Sequence, residues 1–262
     1  MTSPPACVGG GLARSAEYPA LYSTVSHRIE LLEPGSRTGS LRVRRAYSEA
    51  ELATDRAIHV AALAAGAIGA LAMVARAVLS VDALTFSAVM VYALALLAML
   101  GASAAYNGGQ ARSGTELRRR LDHAAIFVMI AGTYTPFTLG VFSGASAIAM
   151  TAAVWSVALG GALLKLCYPR RFERLSIVIY LVLGWQGLFL APSLFTTLPA
   201  PATALIVTGG VLYTAGTAFH LWTRLPFHAA IWHGLVVLAA GCHYAAIWQA
   251  IVQAVVLGDA RL

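Results

Sequence analysis

Two long stretches of this chain carry no formal charge: residues 175–223 and 225–258 contain no Asp, Glu, Lys or Arg. A helix at a water interface needs a polar face along its length, and these segments cannot supply one. The solvent that tolerates them is hydrocarbon, which about 20 apolar residues cross as a helix. There each segment must satisfy its own backbone hydrogen bonds. The whole chain agrees: 59% of its 262 residues are hydrophobic and 11% are charged, against about 25% charged in a soluble domain. Disordered chains, ordinary nucleic-acid-binding domains and most soluble enzymes are excluded on that ground.

Apolar runs of spanning length fall at about 57–79, 83–106, 122–143, 146–167, 175–196, 202–223 and 230–256. The connections are short, so the expectation is one all-α domain, a seven-transmembrane-helix bundle over 57–257. Residues 1–56 read as a flexible basic cytosolic tail without the apolar core and cleavage site of a signal peptide. The tail ends in a short pre-membrane helix at 48–56, where Ser48 and Glu51 have the spacing of a capping box. Residues 258–262 form a C-terminal tail. Cys7, Cys167 and Cys242 are too scattered for a disulfide framework or a zinc finger.

The net charge of +7 reads as topology, with no nucleic-acid partner implied. With the N-terminus in the cytosol, the tail, the 107–121 connection, the 165–174 connection and Arg224 place nearly all the basic residues inside. The predicted arrangement is N-terminus cytosolic, C-terminus outside. Arg118, Arg119 and Arg120 then face anionic headgroups.

Polar residues inside spans are costly and mark candidate sites. Odd spans begin and even spans end at the cytosolic face. His59, Ser103, Asn107, Asp122, His123, His220, His228 and His233 all fall at that end, while His243 lies deeper and reads as a satisfied interior histidine. Ser103 and Asn107 are four apart and share a helix face. A His and Asp cluster in a cavity open to the cytosol can hold zinc and activate water for hydrolysis. Helix-end anchoring by mutual hydrogen bonds is the competing reading. Pro136 marks a kink in the third span, with Thr133 and Thr135 placed to compensate freed carbonyls. Gly160, Gly161, Gly209 and Gly210 permit close helix approach.

Several segments carry a family resemblance. S-A-A-Y-N at 103–107, R-R-R-L-D-H-A-A-I-F-V-M-I-A-G-T-Y-T-P at 118–136 and L-P-F-H-A-A-I-W-H-G-L-V-V-L-A-A-G-C-H-Y at 225–244 resemble motifs of the hemolysin III / progestin and adipoQ receptor family. That family sits in a wider group with alkaline ceramidases. E-L-A-T-D-R-A-I-H at 51–59 is similar to a divergent form of the family's opening motif. The resemblance implies seven helices, an N-in arrangement and a zinc site. Carried over by position, it implies Ser103 and Asp122 as catalytic residues, with Asp122 and His233 at the metal. Asn107 stands at one ligand position and Ala229 at another, both expected to be His. His228 is a substitute for the second, although five residues before His233 it points about 140° away on a regular helix. His59, His123 and His220 are further candidates.

Three functions follow as expectations. The first is a zinc-dependent hydrolase of lipid amides embedded in the membrane, a bacterial inner membrane or a eukaryotic one. The second is a non-catalytic sensor or regulator, favoured by the two absent histidines. The third is a pore-forming, hemolysin-like protein, for which no span shows a long polar stripe. The last span has no Lys to carry a retinal Schiff base.

Overall fold

In the computed structural model, the described residues are 47–78, 81–108, 115–141, 144–168, 171–190 and 197–259. The tail through residue 46 and the end at 260–262 lie outside them. The described residues form seven helices and no strand: α1 (Glu49–Val78), α2 (Ala83–Asn107), α3 (Thr115–Gly140), α4 (Gly144–Cys167), α5 (Glu173–Leu190), α6 (Ala200–Leu221) and α7 (His228–Asp259).

Capping chemistry sets two of the starts. Ser48 and Glu51 close a reciprocal box at α1: the Glu51 N–H donates to Ser48 Oγ (3.2 Å) and the Ser48 N–H donates to Glu51 Oε2 (2.8 Å). The pre-membrane helix is therefore continuous with the first span, with no break at residue 56. Asp82 caps α2, its Oδ1 accepting from the Leu84 and Thr85 N–H groups.

Five helices are long and apolar enough to cross a bilayer: α1, α2, α4, α6 and the His228–Ala250 part of α7. α3 falls short for a visible reason: it carries three arginines near its start and Thr133, Tyr134, Thr135, Pro136 and Thr138 in its second half. Large apolar side chains stand exposed around the outside, among them Ile68 (71%), Leu71 (72%) and Ile148 (66%). Water would penalise such a surface, whereas lipid is its natural solvent. The chain is an all-helical membrane bundle.

Consecutive helices α1 to α4 pack side by side, α6 packs along α7, and α7 returns against α1. One core cluster joins Met73, Val89, Tyr92, Leu96, Met99 and Ile247. A second joins Phe127, Val154, Ala158 and Leu183. Glycines set two of the close approaches. A Cβ at Gly161 would enter the Phe127 ring, and one at Gly209 would lie 2.5 Å from the His243 ring. Gly160 meets nothing within 4 Å, so it does not share the role expected for it. Pro136 removes the donor that would pair with the Gly132 carbonyl. The threonine hydroxyls do not take that carbonyl: Thr133 donates to Met129 O and Thr135 to Ala131 O, each at 2.8 Å. Thr135 also accepts from Trp155 Nε1 (3.0 Å), which ties α3 to α4.

Candidate metal centre

The N-terminal parts of α1, α3 and α7, within three to four turns of their starts, and the last turn of α2 meet at one end of the bundle. α1 contributes Asp55 and His59, four residues apart and so on one helix face. α2 contributes Ser103 and Asn107 with the same spacing. α3 brings Asp122 and α7 brings His233.

His59 is buried and held from both sides. Its Nδ1–H donates to the Asp55 carbonyl oxygen (2.7 Å). That bond fixes the neutral tautomer with the Nε2 lone pair turned inward. Nε2 accepts from Ser103 Oγ (3.1 Å) and from Asn107 Nδ2 (3.3 Å). Asn107 Nδ2 also donates to the Ser103 carbonyl oxygen (3.0 Å).

His233 reaches across from α7. Its Nδ1 donates to Asp55 Oδ1 at 2.6 Å, and its ring meets that of His59 edge to face at 4.4 Å between centroids. Asp122 stands within electrostatic range of Ser103 and His233. Ser103 Oγ thus faces both His59 Nε2 and Asn107 Nδ2, the latter at 3.4 Å.

Loop chemistry fixes the entry of α7. Phe227, the residue before it, has φ 58°, a left-handed conformation that costs a bulky side chain free energy. Its N–H donates to Oε1 of the buried Glu51 at 2.7 Å. One carboxylate therefore caps α1 and clamps the start of α7, setting the depth at which His233 meets Asp55.

Asp55, His59 and His233 form the metal-capable group of the described residues: one donor atom from each lies within 4.8 Å of the others. One oxygen and two imidazole nitrogens suit zinc, which is usually tetrahedral with bonds of about 2.1 Å. Ligand atoms of such an ion sit about 3.4 Å apart, so the 2.6 Å Asp55–His233 pair opens by less than 1 Å to admit one. The donor set fits the ion.

The sequence-derived residues separate into two sets. Ser103, Asn107, Asp122 and His233 come together. His228 does not join them: its Nε2 hydrogen-bonds Tyr47 Oη at 3.0 Å. His220 packs on the Trp232 ring, and the His123 carbonyl accepts from Tyr180. Of the spare histidines, His59 is the one beside Asn107. Asp55 was missed, although its i, i+4 spacing to His59 is a readable signal. His243 Nε2 donates to the Ile206 carbonyl (3.2 Å), as an interior histidine should.

A multi-pass helical membrane protein with a polar, metal-capable centre at one end of the bundle is the class that this fold and site define. Residues 54–244 match the family model described as "Haemolysin-III related". The chain belongs to that family. It is 45% identical over 116 residues to "Hemolysin-3 homolog" of Bacillus subtilis, covering 44% of this chain and 54% of the relative. It is 41% identical over 113 residues to "Hemolysin-3" of Bacillus cereus, covering 43% and 52%. It is 30% identical over 129 residues to the human "Monocyte to macrophage differentiation factor", covering 49% and 53%. The chain thus spans about half the length of the curated relatives it matches. No solved structure matches it.

Proposed function

We propose that this chain is a membrane-embedded zinc hydrolase of lipid amides, with zinc held by Asp55, His59 and His233 at the cytosolic face. The observation that carries the reading is the convergence of those three donors beside Ser103 and Asp122. The basic connections support an N-in, C-out orientation. Family membership and the resemblance to the wider group that includes alkaline ceramidases support the substrate class.

Zinc bound there supplies a Lewis acid for the amide carbonyl and lowers the pKa of a water. The chain's own groups do the rest. Asp122 takes the proton of the attacking water on a carboxylate oxygen as the oxygen bonds the carbonyl carbon. Ser103 Oγ–H is the donor placed for the developing oxyanion. The proton held on Asp122 then passes to the amide nitrogen as the C–N bond breaks, giving a fatty acid and an amine. Asn107 keeps the His59 ring in register.

The test is paired zinc analysis and ceramide turnover on the purified full chain. Asp122→Asn should retain zinc and lose turnover, and His233→Ala should lose both. Zinc-free wild-type protein that still turns over ceramide overturns the reading. One observation favours a second reading, a non-catalytic sensor or regulator: the 2.6 Å Asp55–His233 bond satisfies both groups without an ion. A zinc-free, inactive wild-type chain is the result that selects it. A pore, as the relatives' hemolysin names suggest, would instead release dye from liposomes.

A further inference from the structure

A second polar cluster lies where the start of α3 meets the end of α4 and the start of α5. Arg120 Nη1 donates to the Leu166 carbonyl (2.8 Å), which brings its guanidinium against the last turn of α4. Arg119 Nη1 binds Glu173 Oε1 (3.1 Å). Glu116 stands 3.7 Å from both Arg119 Nε and Arg120 Nε. Beside them Lys165 is almost wholly covered, with 2% of its surface exposed.

Among the described residues, the charges in this cluster do not close. Lys165 makes no hydrogen bond or ion pair among the described residues, although it feels the charges of Glu173 and Arg119. Both carboxylates are already engaged by arginines. Arg119 Nε, Arg119 Nη2 and Arg120 Nε are buried with no hydrogen-bond partner. Covered cations are stable only when paired and hydrogen-bonded. Arg119, Arg120 and Lys165 are three cations facing Glu116 and Glu173, and the buried Nε and Nη2 of Arg119 and Nε of Arg120 are unused donors among the described residues.

We propose that Arg119, Arg120 and Lys165 form a binding site for the phosphate group of an anionic phospholipid. Phosphate supplies the missing negative charge and several acceptor oxygens, and guanidinium forks match its geometry. The cluster occupies the loop-proximal ends of three helices, the depth at which headgroups lie. It is separate from the metal centre, being built by α3, α4 and α5 without α1 or α7.

The test is native mass spectrometry of the full chain with phosphatidylglycerol, phosphatidylcholine or inorganic phosphate added. Phosphatidylglycerol should be retained in preference to phosphatidylcholine. Lys165→Met, which keeps the packing stem, should weaken retention about fivefold, the contribution of one basic residue near an anionic headgroup, and Lys165→Arg should restore it. Glu173→Gln releases Arg119 and should tighten retention, which gives an independent readout if Lys165→Met does not fold. Equal retention of the two lipids, or unchanged retention in both Lys165→Met and Glu173→Gln, overturns the proposal. Displacement of the lipid by inorganic phosphate at equal concentration assigns the site to free phosphate and overturns the lipid assignment.

Discussion

Nδ1 of His233 lies 2.6 Å from Oδ1 of Asp55, and this contact joins α7 to α1 across 178 residues of sequence. It makes Asp55 the partner of both histidines, since the Asp55 carbonyl also orients His59. Wild-type protein should carry close to one zinc per chain by elemental analysis. His59→Ala and Asp55→Ala should each weaken zinc binding at least as much as losing an outer-shell partner does, about 10–100-fold. His228→Ala should leave the zinc content unchanged, because that ring is turned to Tyr47.

Asn107 sits 3.3 Å from the His59 Nε2 atom and contributes an amide where a third imidazole would complete the set. Asn107→His should therefore tighten zinc binding, measured by competition with a chelator. The size of the gain reports how well α2 already faces the ion.

Glu51 is buried and accepts from both the Ser48 and Phe227 N–H groups. Glu51→Ala leaves the Phe227 N–H without its acceptor, a loss of about 1–3 kcal/mol for a buried donor. Thermal melting should fall, and zinc affinity should fall with it although no proposed ligand is touched. Asp82→Ala is the control: it removes a cap worth about 1 kcal/mol at the other end of the bundle and should spare zinc affinity.

Asp82 also gives a pH signature. The Thr85 hydroxyl, which donates to Oδ2 at 2.7 Å, is the largest of the groups that hold its carboxyl below the usual carboxylate range. Unfolded, the group titrates near about 3.9. Its stabilisation is complete above that value and disappears as pH falls through the lower folded value. Wild type should lose melting temperature relative to Asp82→Asn as pH drops below about 4, and the two should run parallel at neutral pH.

A Cβ at Gly209 would lie 2.5 Å from the His243 ring and 3.2 Å from the Ala239 carbonyl oxygen. Gly209→Ala should cost about 1–3 kcal/mol by overpacking, read as a lower melting temperature. Gly160→Ala meets open space and should be nearly neutral.

The sequence makes the location of the site legible because alternate helix ends share a face. Ser103, Asp122 and His233 could be assigned to one end from span order alone. The ligand set was less legible. A domain boundary drawn at residue 56 leaves Asp55 in the tail, whereas the capping box starts α1 at Glu49 and carries Asp55 onto the same face as His59. His228 and Ala229 draw attention to α7, but the turn at Phe227 sends His228 to Tyr47. Such a turn is a property of backbone torsion and a distant carboxylate, neither of which is visible in local spacing. The spare charge around Lys165 is equally hidden, since it depends on which carboxylates the arginines of α3 have already taken.

The α1–α7 contact has a consequence for biogenesis. Two proposed ligands enter the membrane with α1 and the third arrives only with α7, so a nascent chain halted in any connection between them has no site to fill. Metal loading can follow only once α7 has inserted. Zinc uptake during synthesis would then report completed insertion of the bundle, and a chain truncated after α6 should remain metal-free even if its earlier helices pack.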